Sequence, residues 1–262
     1  MVQADARREQ FSLQGKMALV IGAAGPVGRA VAVAMAEAGA DVAVSTTTGS
    51  QREEVAANSC ANEVWALKRR GFAATIDAAD ESDVDRLVQR AVSELGRLDV
   101  LVNAHDLPFA KPLTEITPEE WRRVVDVNLT GVYLACRAAA RPMLSQGAGR
   151  MINVVSLLAE RGMANGAAIC AAQAGVMNFT RALALEWAKT GVTVNAIGAG
   201  WTEGMPLLAD EEARRKLERY LPGKRLAKPE EIAGIAAYLA SDAAQYLTGQ
   251  IVWVEDGALS HV

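Results

Sequence analysis

Residues 17–28 read M-A-L-V-I-G-A-A-G-P-V-G. Five consecutive apolar residues ahead of a glycine suit a short strand buried on both faces. Gly22, Gly25 and Gly28 then suit a turn that opens a helix. The helix over 27–38 is alanine-rich and stops at Gly39, a residue that ends helices because it enters the left-handed region without a Cβ clash. Strand, glycine turn and helix in this order begin a βαβ unit. The turn's N–H groups and the positive end of the helix point to where a pyrophosphate can sit. The same glycines equally suit a helix packed tightly on its strand, so the turn alone leaves both readings open.

Working outward, D-V-A-V-S (41–45), F-A-A-T-I (72–76), L-D-V-L-V-N (98–103), M-I-N-V-V (151–155), V-T-V-N-A-I (192–197) and Q-I-V-W-V (250–254) read as six further strands separated by helices. Short apolar strands alternating with helices imply an α/β protein whose parallel sheet is covered on both faces. Right-handed crossovers favour a doubly wound, Rossmann-like sheet of seven strands. Ser50 is a candidate cap for the second helix. Thr117-Pro118-Glu119-Glu120 combines a capping threonine, proline at the first helical position and glutamate at the third. Lys228-Pro229-Glu230-Glu231 opens the last helix in a similar way, and 206–221 is a charged amphipathic insertion before the last strand. With no repeats or linkers, one domain is expected over 15–262 after a polar arm at 1–14.

The chain has 262 residues, 51% apolar and 22% charged, with a net charge of −4. The acidic balance argues against nucleic acid as a partner, because phosphates need a basic face. No apolar run reads as a span of about 20 residues, so no membrane association is expected. The first ten residues have no apolar signal core, which makes a cytoplasmic location the expectation. Cys60, Cys136 and Cys170 lie far apart with no metal-ligand spacing, and read as buried thiols rather than a metal site.

The chain resembles the short-chain dehydrogenase/reductase family. The resemblance rests on F-S-L-Q-G-K-M-A-L-V (11–20), the glycine turn, D-V-N-L-T-G (126–131), L-T-G-Q (247–250) and the spacing of all seven strands. It implies an NAD(P) cofactor held by Gly22, Gly25, Gly28, Asp77 against the adenine, and Asn103 after the fourth strand. The family's turn is altered here, with Ile21 for a threonine and Pro26 for a glycine, and Pro26 removes one N–H donor. At the ribose position stands Thr46, with neither a carboxylate for NAD nor an arginine for a 2′-phosphate at that strand end. The hydroxyls lean toward NADP(H), and weak or absent binding is equally compatible. Asn103-Ala104-His105-Asp106 replaces the family's Asn-Asn-Ala-Gly, crowding the floor beneath the nicotinamide. Ala199 replaces a proline, and Gly204 replaces the threonine that would hold the carboxamide.

The family reaction needs a tyrosine that exchanges a proton with the reacting oxygen, and a lysine one helical turn on that lowers the tyrosine pKa from about 10. A serine hydrogen-bonds the same oxygen, and an asparagine anchors a relay water. By the resemblance Ser156 and Asn128 keep two of these roles, while the tyrosine and lysine positions hold Ile169 and Gln173. No Tyr-x-x-x-Lys occurs anywhere in the chain. His105, with Asp106 beside it, is a candidate substitute acid or base, or a structural histidine. Glu160 and Arg161 are candidate pocket residues or ordinary loop charges. The resemblance also implies assembly through helices 118–146 and 166–189, the second rich in glycine and alanine.

Two functions are therefore expected to compete. One is a non-catalytic subunit that joins an active paralogue in a heteromeric oxidoreductase. Family members that handle hydroxyacyl-CoA intermediates of anaerobic aromatic degradation, the 2-[hydroxy(phenyl)methyl]succinyl-CoA dehydrogenase type, provide the pattern. The other is an enzyme with a relocated acid or a non-redox site, while a ligand-binding regulator is a weaker third.

Overall fold

The computed structural model describes residues 9–260. Most of the arm, 1–8, lies outside the described residues. The seven strands are all parallel and lie side by side in the order β3-β2-β1-β4-β5-β6-β7. Strand β1 is Met17–Ile21, β2 Asp41–Ser45, β3 Ala73–Ala74, β4 Val100–Asn103, β5 Gly149–Ser156, β6 Val192–Ala199 and β7 Ile251–Val254. The chain reverses its direction of travel across the sheet between β3 and β4, which opens a crevice at the strand ends beside β1.

Helices α1 (Pro26–Glu37), α2 (Gln51–Ala66) and α8 (Pro229–Ala240) cover one face through Val31, Met35, Cys60, Val64, Ile232 and Leu239. Helices α3 (Glu81–Leu95), α5 (Gly131–Gln146) and α6 (Ala167–Glu186) cover the other through Val84, Leu87, Ala135, Met143, Val176 and Ala184. Because both faces are covered, the strand side chains are buried throughout β1 and β6, explaining the unbroken apolar runs. Contrary to the expectation that no run of about 20 residues is apolar enough to span a bilayer, helix α6 is long and apolar enough to cross one by length and composition. It packs here against β5 and β6 within the fold.

Local signals act as their chemistry requires. Ser50 accepts from Glu53 N at the start of α2. Helix α4 (Pro118–Val125) begins with a complete capping box between Thr117 and Glu120. At the start of α8 only the glutamate half forms, Lys228 N donating to Glu231 Oε2 at 2.8 Å. The 206–221 insertion folds as a short 3₁₀ turn, Pro206–Leu208, followed by α7 (Glu211–Tyr220), capped by Asp210. Between α4 and α5 the chain makes a π-helical turn, Asp126–Thr130.

Candidate functional site: a wide groove ending in a small, blocked cavity

The glycine turn lies between β1 and α1, and its three glycines have different reasons to be glycine. A Cβ on Gly22 would fall 2.3 Å from Ala104 O, and one on Gly28 would fall 2.3 Å from Gly22 O. Those two let strand, turn and helix pack. Gly25 differs, because a Cβ there would meet nothing nearer than 3.5 Å and its backbone is ordinary extended chain. Gly25 instead lines the crevice, so the space its missing side chain leaves is ligand space. Pro26 occupies the first helical position, and the first intrahelical bond is Arg29 N to Gly25 O at 2.9 Å. The N–H groups of Val27 and Gly28 precede that bond and stay available for an anion.

From the turn a groove of about 710 Å³ runs outward over Thr47, Thr48, Ser50 and Arg52 and under Met205 and Leu208. This is the size of a site for a nucleotide-sized molecule. Thr46, expected at the ribose, is not in it. That residue is fully buried, and its hydroxyl donates to Ile76 O at 2.7 Å and accepts from Ile76 N at 2.8 Å. Thr46 turns into the fold, and beyond it the chain bends at Thr47, which leaves Thr47 and Thr48 at the groove. Arg52, in the first turn of α2, supplies the guanidinium that the strand end itself lacks. Glu53 holds this rim together, its Oε2 accepting from Thr47 N at 2.8 Å and Thr48 N at 2.7 Å.

Two more expected contacts are used internally. Asp77 pairs with Arg123 at 2.9 Å and accepts from Ala79 N at 3.0 Å. Asn103 is buried, donating through Nδ2 to Asn153 Oδ1 at 2.8 Å, while Asn153 donates to Thr180 Oγ1 at 2.9 Å. Asn103 thus ties β4 to β5 and α6 instead of facing the groove.

Inward of the turn the crevice shrinks to a cavity of about 60 Å³, lined by His105, Asp106, Ser156, Gln173, Thr202 and the turn itself. His105 is 4% exposed, and neither ring nitrogen has a hydrogen-bond partner. Burial lowers its pKa to about 4 and raises that of Asp106 to about 6. Near neutral pH His105 is therefore an uncharged imidazole and a poor acid. Of the two, Asp106 has the pKa suited to proton transfer.

Ser156 ends β5, and its Oγ accepts from Leu158 N at 3.2 Å. Gln173 has no free carbonyl, since its Oε1 accepts from Ser156 N at 3.0 Å and so bonds α6 to the end of β5. Ile169 is 2% exposed in an apolar cluster with Val124, Leu157, Leu158 and Ala168. Asn128 sits in the π-helical turn with its amide fully used: Oδ1 accepts from Leu107 N, and Nδ2 donates to Leu107 O and Val124 O, at 2.9–3.0 Å. Its side chain clamps the loop after β4. Arg161 reaches Ala258 O at 2.5 Å and ties its loop to the C-terminal segment, while Glu160 is exposed.

Burial pushes the Cys60 and Cys136 thiols up to about 12, as inert core thiols. Cys170 is only half-buried.

Fold and groove together define a doubly wound, nucleotide-binding type of α/β protein. A family model described as enoyl-(acyl carrier protein) reductase matches residues 22–258. The cis-4-hydroxycyclohexanecarboxylate dehydrogenase of Sinomonas cyclohexanicum is 38% identical over 245 residues, which is 92% of this chain and 96% of that one. A short-chain type dehydrogenase/reductase from Mycobacterium marinum superposes with a TM-score of 0.88 at 31% identity, over 95% of this chain and 98% of its own. A gluconate 5-dehydrogenase from Burkholderia cenocepacia J2315, solved with NADP and tartrate, gives 0.89 at 28% identity over 98% and 100%. The chain belongs to the short-chain dehydrogenase/reductase family, a family of oxidoreductases.

Against the dinucleotide that this fold implies, the site divides in two. The outer half fits, with Gly25 leaving the ligand its space, Val27 and Gly28 N–H for phosphate, and Thr47, Thr48 and Arg52 along the groove. The inner half does not. About 60 Å³ beside a buried, unpartnered imidazole is too little for a nicotinamide ring.

Proposed function

We propose that this chain is a subunit of a heteromeric NAD(P)-dependent oxidoreductase acting on a secondary alcohol or ketone, such as a hydroxyacyl-CoA, and that it does not itself perform the proton transfer. The observation that carries this reading is the fate of the two positions on α6. Ile169 is sealed in an apolar cluster and Gln173 is bonded to the Ser156 backbone. Neither group can exchange a proton with a carbonyl oxygen, and losing a positioned general acid costs on the order of 10²–10⁴ in rate.

The relatives are named as active dehydrogenases, so the missing proton chemistry is assigned to a paralogue that keeps the tyrosine and lysine. Helices α5 and α6 would form the contact, through the half-exposed Tyr133 stacked edge-on against Phe179 and the small residues of α6. NADP in the gluconate 5-dehydrogenase supports a nicotinamide nucleotide as the family's ligand for this groove. Arg52 and the two threonines favour NADP(H) over NAD(H) where a dinucleotide enters.

One observation favours a second reading. Asp106, with a pKa near 6 at the cavity, is a candidate relocated acid for a chain active alone. Co-expression with a neighbouring paralogue separates the two. A stable heteromer whose turnover disappears when the partner's tyrosine is replaced supports the subunit reading. Turnover by this chain alone, abolished by Asp106→Asn, overturns it in favour of the second.

A further inference from the structure

Helix α7 has no core of its own. Seven of its ten residues are charged and none is buried. What holds it is an apolar foot: Leu217, and Leu208 from the turn ahead of it, pack against a small cluster of Leu221, Leu226 and Ala258. The first two members of that cluster come from the loop after α7, and the third comes from the end of the chain. The same 206–220 segment roofs the groove through Leu208, Ala209 and Arg214. A segment with so little buried apolar surface belongs to the low-stability end of a fold and opens ahead of the rest.

The residues after β7 are built to grip it. Asp256 has a φ of +56°, in the left-handed region that residues with a side chain mostly avoid and that aspartate tolerates better than most. Its Oδ2 accepts from Gly223 N at 2.7 Å, in the loop that follows α7. A Cβ on Gly223 would fall 2.0 Å from that same oxygen, so the contact needs glycine on the other side. Glycine at 256 would take the backbone conformation more easily and hold nothing, which gives the carboxylate a task. The segment is itself tied down. Leu259 N donates to Glu255 Oε2 at 2.7 Å, and Arg161 Nη1 donates to Ala258 O at 2.5 Å from the loop after β5.

We propose that the C-terminal segment 255–260 is a latch that holds the 206–220 segment closed over the groove, with the bond from Gly223 N to the Asp256 carboxylate as its release point. Opening breaks that bond and lifts Leu208 and Leu217 off the cluster, which uncovers the groove. The base of the segment stays paired and acts as the hinge: Ala227 N donates to Trp201 O at 2.8 Å, and Glu203 N donates to Ala227 O at 2.9 Å. The inference does not rest on the subunit reading, because the latch uses none of the α6 positions that carry that reading and needs no partner chain.

Hydrogen exchange of the purified full chain, read by mass spectrometry without added ligand, tests it, with α3 as the internal reference. In Asp256→Gly the amides of 206–220 should exchange about three- to tenfold faster, the equilibrium worth of one ordinary hydrogen bond, while those of α3 keep their rate. Asp256→Asn keeps an acceptor oxygen on a residue that tolerates the left-handed backbone, so exchange should stay near that of the unaltered chain. Gly223→Ala pushes the carboxylate away without replacing it and should match Asp256→Gly. The two changes break one contact, so the double variant should exchange no faster than the faster single one. Exchange in 206–220 unmoved by both Asp256→Gly and Gly223→Ala overturns the inference. An equal rise in α3 does so too, because the contact would then support the whole fold and not the opening of one segment. Turnover by this chain alone, the result that sinks the subunit reading, leaves these exchange rates as they are.

Discussion

Ile169→Tyr combined with Gln173→Lys would put the family's proton-transfer pair back on α6, and its cost can be worked from the packing. Ile169 is 2% exposed between Val124, Leu157 and Leu158, so a phenol ring overpacks the cluster by about 1–3 kcal/mol. Gln173→Lys removes the acceptor for Ser156 N–H, which costs about 1–3 kcal/mol. The residues are one turn apart and need not add strictly, so the pair should cost roughly 2–6 kcal/mol of a total near 5–15. At about 2–4 °C per kcal/mol for a chain of this size, the melting temperature should fall by roughly 5–20 °C while the protein still folds. Scanning calorimetry reads that shift, and nicotinamide absorbance with a series of secondary alcohols reads activity. No turnover is expected, because the cavity beside Ser156 and His105 measures only about 60 Å³. Turnover well above the unaltered chain would refute the reasoning: it would show that the inner cavity opens to a nicotinamide and that only the two α6 positions were silencing it.

His105 and Asp106 should make opposite contributions to stability against pH. The His105 pKa falls on folding to about 4 from 6.5, so its contribution is present above pH 6.5 and is lost as pH drops through 4. The Asp106 pKa rises to about 6 from 3.8, so its contribution is present below 3.8 and is lost as pH climbs through 6. Between pH 4 and 6 the two nearly cancel. In urea unfolding over that range, Asp106→Asn should gain stability with rising pH and His105→Ala should lose it, each by up to about 1.4 kcal/mol per pH unit relative to the unaltered chain. Equal slopes in the two variants would contradict the burial argument. Asn153→Leu removes the carbonyl that Asn103 Nδ2 donates to and leaves it only the weak acceptor Cys136 Sγ at 3.3 Å, while Thr180 keeps its bond to Val176 O, so the change should cost about 1–3 kcal/mol. A urea midpoint unchanged from the original chain would show that this network adds nothing.

The architecture was legible because apolar runs and glycine stops are strong, local signals. Strands β1 and β2 fall where their five-residue runs lie, and α1 is displaced by one residue. Strand β3 shrinks to Ala73–Ala74 because it is an edge strand, paired only with Val44 and Ser45. Strand β4 starts two residues late, since Leu98 is bonded through N and O to the Gln146 side chain. The site was legible in its losses and less so in its contacts. Counting residues could locate the three consecutive threonines but not which of them faces the groove, because that is set by the bend of the chain at Thr47. Arg52 was missed because it comes from the next helix, not the strand end. Asn103 and Asn128 keep the family's residue type, yet the Nδ2 of Asn103 and the whole amide of Asn128 are taken by neighbours that only the folded chain brings near. The one signal for this was the Asn153 and Thr180 pair, polar residues inside otherwise apolar elements.

The π-helical turn Asp126–Thr130 has a consequence for the outer surface of α5. A regular helix advances about 100° per residue, and the wide turn takes up one extra residue without passing that rotation on. Removing a single residue there would restore an unbroken α-helix with Tyr133 and Arg137 in nearly the same phase, whereas winding the same residues as regular α-helix would swing both by about 100° around its axis. In that second case the fold would keep its sheet while α5 turned a different set of side chains outward.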